Sequence, residues 1–101
     1  MFLYNVTLKI DAAIHEEWLA WMQQTHIPEV LQTGFFVENR IYRLIEPDDD
    51  DDSATYAVQY SFRQLADLHR YQADCAPALQ KAHTDRYEGR FMAFRTVLKA
   101  V

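Results

Sequence analysis

Only two glycines occur in the 101 residues, and they hold equivalent places in the two halves of the chain. Gly34 separates HIPEVLQT from FFVENRIYRLI, and Gly89 separates HTDRYE from RFMAFRTVLK. Glycine enters the left-handed backbone region without a steric penalty, so it ends a helix and turns the chain into a strand. Before each glycine lies a helical pattern interrupted by one proline, Pro28 or Pro77, and before each helical pattern lies an alternating one. The chain therefore reads as strand, helix, strand, repeated once as architecture and not as sequence.

In the first strand, Phe2, Tyr4, Val6, Leu8 and Ile10 alternate with Leu3, Asn5, Thr7 and Lys9, the period of a half-buried strand. From Asp11, a candidate N-cap, the residues Ile14, Trp18, Trp21, Met22 and Thr25 recur at helical spacing. Pro28 disfavours helical geometry at Ile27 and carries no N–H, which predicts a kink and a restart with Pro28 in the first turn. ATYAVQYSF is the third strand, the segment 63–88 a helix broken at Pro77, and RFMAFRTVLK the last strand. This order predicts an α+β, ferredoxin-like βαββαβ fold: one domain over 1–101, a four-stranded antiparallel sheet with two kinked helices on one face.

The length suits one domain with a modest core. The formal charge of −5 comes from Asp48 to Asp52 alone; elsewhere ten acids balance ten bases. No Lys/Arg cluster with interleaved aromatics supplies the footprint of a nucleic-acid binder. No apolar run approaches a membrane span and no leader pattern opens the chain, which makes the cytoplasm the expected location. The run EPDDDDDS lacks the alternate ligand spacing and the glycine of a calcium loop, and predicts a solvated hairpin tip that contributes little packing. Cys75, the one cysteine, excludes an internal disulfide and reads as an inert thiol. His15, His69 and His83 show no ligand spacing, so neither a metal nor another cofactor is expected.

Helices on one face leave the other face uncovered. Giving the more apolar side of each strand to the helices assigns Leu3, Asn5, Thr7 and Lys9 to the open face, with Phe36, Glu38, Arg40, Tyr42 and Leu44. The later strands add Thr55, Ala57, Gln59 and Ser61, then Phe91, Ala93, Arg95 and Val97. That mixture is too apolar for water and too polar for a dry core, which predicts a homodimer through the open face around a polar-lined cavity. Asn5, Thr7, Arg40, Gln59 and Arg95 are its candidate ligand-binding residues.

YNVTLKID, the segment W-x-x-W-M-x-x-x-H-I-P-E-V-L-x-T-G-F, then Y-x-x-Q-Y and F-R-T resemble a family of short bacterial proteins known as a domain of unknown function. The resemblance spans essentially the whole chain. It implies a ferredoxin-like fold of the dimeric α/β-barrel type, a superfamily with cofactor-free monooxygenases, lactone isomerases and haem enzymes, and it implies no particular activity. Among its pattern positions are Asn5, Thr7, Trp18, His26, Pro28, Gly34, Tyr60 and Arg95.

His26 is the remaining candidate site residue. Its imidazole suits proton transfer, but the reading the sequence favours is that it braces the kink by bonding the backbone groups that Pro28 frees. Arg95, alternating with apolar neighbours, either grips an anion through its planar fork or pairs with Glu38 or with a partner chain's Glu88. Trp18 and Trp21, at helical spacing, read as sheet-packing residues. Two functions stand: a small-molecule binding module for a polar or anionic ligand, or a cofactor-free monooxygenase or isomerase. A plain assembly protein with a filled interior is the third.

Overall fold

The computed structural model describes residues 1–101. The chain runs through β1 (Phe2–Asp11), α1 (His15–Trp21), a π-helical turn (Met22–His26), α2 (Ile27–Gln32), β2 (Glu38–Arg43), β3 (Ser53–Phe62), α3 (Leu65–Asp74), α4 (Ala76–Tyr87) and β4 (Phe91–Lys99). The strands form one antiparallel sheet in the order β2-β3-β1-β4. This is the α+β ferredoxin-like arrangement predicted from the sequence. No helix is long and apolar enough to cross a membrane.

Both kinks have identifiable causes. In α geometry the Pro28 ring would strike the carbonyl of Gln24, four residues back. The helix widens just before that point, with the Ile27 N–H reaching five residues back to the Met22 carbonyl. The second helical stretch breaks at Cys75, one residue before α4 begins and two before Pro77. Gly34 and Gly89 adopt φ of +85° and +77°, the left-handed conformation expected of both. Asp11 is not the N-cap: its carboxylate accepts the Ala13 N–H at 3.0 Å and pairs with Arg90 at 2.8 Å, and the helix starts later, at His15.

The core lies between the sheet and the helices. Tyr4, Leu8 and Ile10 from β1 and Tyr56, Val58, Tyr60 and Phe62 from β3 pack against Trp18, Met22, Val30, Leu68 and Tyr71. The assigned face of β3 agrees with its pairing, because Gln59 stands opposite Asn5 and Ala57 opposite Thr7. Two assignments are corrected. Phe36 precedes β2 and turns into the core, its ring 4.8 Å from that of Tyr71 and 5.1 Å from that of Tyr60. On β4 the parity is reversed: Val6 pairs with Arg95 and Leu8 with Ala93, while Thr7 pairs with Phe94 and Asn5 with Thr96. Directly opposite residues in an antiparallel ladder share a face. Arg95 therefore points to the helix side, and Met92, Phe94, Thr96 and Leu98 line the open face. Hydropathy misassigns this strand because β4 is an edge, and the helix layer does not fully cover its inner side: Arg95 and Val97 remain exposed there.

Candidate functional site

On the helix side, a cavity of about 40 Å³ opens between the sheet and the helices. That exceeds the roughly 10–15 Å³ needed to admit a water. β1 contributes Tyr4, Val6 and Leu8, β3 contributes Val58 and Tyr60, and β4 contributes Arg95. The π turn supplies Met22 and His26, α2 Val30, α3 Tyr71, and α4 Gln80 and His83. Arg95 is the exposed member of this lining and marks the mouth, while Val6, His26 and Gln80 are half-buried. The widened turn rotates the chain after Met22, and His26 lands on the pocket wall with its ring stacked on Trp21 at 5.1 Å.

One polar atom of the pocket lining is buried and unsatisfied within the chain. His26 Nδ1 is buried without a partner, and the bond to kink backbone expected for this ring does not form. His83 is held differently, since the Trp18 Nε1–H donates to its Nε2 at 2.9 Å in the buried core. An Nε2 that accepts is unprotonated, which places the proton of neutral His83 on Nδ1. The two imidazole centres lie 5.8 Å apart.

Burial first, and then the Arg95 charge, lower the His26 pKa to about 4. For His83 burial again comes first, followed by His26 and Arg95, and the result is also about 4. Burial raises the Tyr60 and Tyr71 hydroxyls well above the ordinary phenol. Tyr4 is raised by burial and pulled back in part by the adjacent Arg95. Near neutral pH the pocket thus holds one charge, the Arg95 guanidinium, beside two neutral imidazoles and three protonated phenols. Arg95 makes no ion pair within the chain, and Glu38, on the opposite face, pairs with Arg40 at 3.5 Å.

The six residues singled out from sequence divide between two surfaces. Arg95 and His26 meet in the pocket. Asn5, Thr7, Gln59 and Arg40 lie together on the open face, where Asn5 Nδ2 donates to Thr7 Oγ1 at 3.1 Å and to Thr96 Oγ1 at 3.3 Å. Sequence reasoning missed Tyr4, Tyr71, Gln80 and His83. The available signal was three tyrosines on core-facing positions, whose hydroxyls need polar company when buried.

Over residues 1–101 the sequence matches a family described as a domain of unknown function, DUF4286. The chain belongs to that family. No curated protein matches this DUF4286 chain. Among solved structures it is similar to a dimeric ferredoxin-like protein from an uncultured marine organism, at TM-score 0.71 and 11% identity over 99% of this chain and 96% of that one. It is also similar to a variant of MhuD with two manganese protoporphyrin IX molecules bound per active site, at TM-score 0.73 and 12% identity over 100% and 95%. A variant of SnoaB, a cofactor-independent oxygenase from Streptomyces nogalater, aligns at TM-score 0.63 and 14% identity over 98% and 92%. At such identities the likeness establishes the fold of the DUF4286 chain and leaves its chemistry to its own residues.

Proposed function

We propose that this protein is a homodimer in which each protomer binds a small anionic molecule in the pocket between sheet and helices. One observation carries the ligand reading. Arg95, with no carboxylate partner in the chain, stands at the mouth of a pocket whose other titratable groups are neutral. A free guanidinium above phenolic hydroxyls is a donor array for an ionised oxygen. A cavity of about 40 Å³ takes only a few heavy atoms, so the charged end of the ligand remains at Arg95. Dimerisation buries the opposite face, with the strip Asn5, Thr7, Arg40 and Gln59 at its centre, in keeping with the dimeric ferredoxin-like neighbours.

Titrating the protein with pyruvate, acetate and methyl pyruvate while recording histidine ring resonances tests the ligand. Both acids shift the His26 and His83 signals, because an anion beside an imidazole favours its charged form, and the neutral ester does not. Arg95→Met abolishes the response and leaves the denaturation midpoint nearly unchanged, since no carboxylate in the chain loses a partner. Unshifted histidines, or a loss of roughly 3 kcal/mol in Arg95→Met, would overturn the reading.

A second reading, a cofactor-free enzyme that moves a proton, rests on His26. An imidazole that is neutral, unbonded and on the wall of the cavity is equipped to act as a base.

A further inference from the structure

We infer that the two pocket histidines divide the labour of enolising a small 2-oxo acid, with His83 as the fixed hydrogen-bond donor to the carbonyl and His26 as the proton acceptor. The inference rests on the anion-binding reading of the same pocket and adds to it a substrate class and two roles. Its starting point is Trp18, whose indole can only donate. The bond from Trp18 Nε1 to His83 Nε2, 2.9 Å long and between side chains 0% and 6% exposed, occupies the one lone pair that His83 could offer as a base. What His83 retains is the Nδ1–H, which has no partner in the chain. A neutral ring locked in one tautomer is an electrophile that stabilises negative charge on an oxygen.

His26 has the complementary equipment. No hydrogen bond engages either ring nitrogen; Nδ1 is sealed by packing, which leaves Nε2 as the nitrogen for a ligand to meet. The tyrosines do not compete as bases, since burial keeps Tyr60 and Tyr71 protonated. With ring centres 5.8 Å apart, adjacent atoms of one small molecule can address both imidazoles. Arg95 lines the same pocket as both rings, which places all three groups within reach of one ligand.

A 2-oxo acid supplies the matching groups in the matching order. Its carboxylate meets Arg95, its carbonyl oxygen accepts from His83 Nδ1–H, and the carbon beyond the carbonyl presents a hydrogen to His26. His26 Nε2 takes that proton. The C–H electron pair becomes the new C=C bond, and the carbonyl π pair moves to the oxygen to give an enolate held by His83. Return of a proton from the His26 imidazolium to carbon closes the cycle, so no oxidant, reductant or second substrate is consumed. In D₂O the cycle reads out as exchange of carbon-bound hydrogen.

The test follows the methyl signal of pyruvate in D₂O with the full-length protein, against an equal concentration of imidazole. Exchange at least ~10-fold faster than the imidazole control is expected, at the low end of what a positioned base contributes. His26→Leu returns the rate to the control while pyruvate still perturbs the His83 ring. Long-range proton–nitrogen spectra of the unmodified protein, which need no variant, show His83 as the Nδ1–H tautomer. Pyruvate that binds without exchanging, exchange that survives His26→Leu, or an Nε2–H tautomer at His83 each overturns the division of labour and leaves the anion pocket standing. Absence of any pyruvate effect on either histidine overturns both.

Discussion

A histidine kept neutral inside a protein links folding to pH. His26 and His83 titrate near 4 in the folded chain, against 6.5 for an unhindered imidazole. Between those values the unfolded chain binds protons that the folded chain does not, so stability falls as pH drops from about 6.5 toward 4 and is fully present above 6.5. The slope is at most about 1.4 kcal/mol per pH unit for each histidine. Urea unfolding between pH 7.5 and 4.5 checks this, and a flat profile would show that the two rings are not buried as neutral groups. Saturating pyruvate flattens the profile by raising both pKa values in the folded state. At this scale the sequence was legible in part. His26 was identifiable from the broken helix, because Pro28 marks the place where regular geometry stops. His83 was not, since its importance lies in Trp18, 65 positions away in the chain, and no local pattern reports such a bond.

The elements show where alternation works as a guide and where it fails. β1 and β3 form the middle of the sheet, each with one face sealed by helices, and their parity was readable from hydropathy. On β4 an apolar row, Met92, Phe94 and Leu98, faces away from the helices, and an arginine faces toward them; the rule that the apolar side is the helix side inverts. The β2–β3 hairpin brings a second correction, because the aspartates at its tip are not equivalent solvated charges. Asp49 accepts the Thr55 N–H at 2.7 Å and the Thr55 hydroxyl at 2.6 Å, fastening the first turn of β3, and Asp50 pairs with Lys9 at 2.9 Å. Asp51 is exposed and makes no hydrogen bond through its side chain. Asp49→Ala should therefore lower stability by about 1–2 kcal/mol while Asp51→Ala changes it by less than about 0.5 kcal/mol. Thermal and urea melts of the two variants decide the matter, and equal behaviour would return the hairpin to the status of a mere charge run.

The open face of the whole sheet displays Phe94 at 63% and Met92 at 72% exposure, with Leu98, Tyr42 and Leu44 also exposed. That much apolar area around a polar strip fits a self-complementary interface, which a two-fold axis requires of one patch. Sedimentation equilibrium at micromolar concentration should give twice the 11.9 kDa protomer mass, and Phe94→Asp should give the protomer mass with the fold retained. A protomer-sized parent protein would exclude the dimer without touching the pocket, which lies on the other side of the sheet. The separation of the two surfaces is a single strand thick at β4. Phe94 and Thr96 project one way and Arg95, between them, projects the other. If docking of a second copy alters the twist of this edge strand, the guanidinium at the pocket mouth is reoriented with it. A ligand that shifted the strand by gripping that guanidinium would act on the interface in turn. By thermodynamic reciprocity, any preference of the dimer for the ligand is matched by an equal preference of the loaded protomer for its twin.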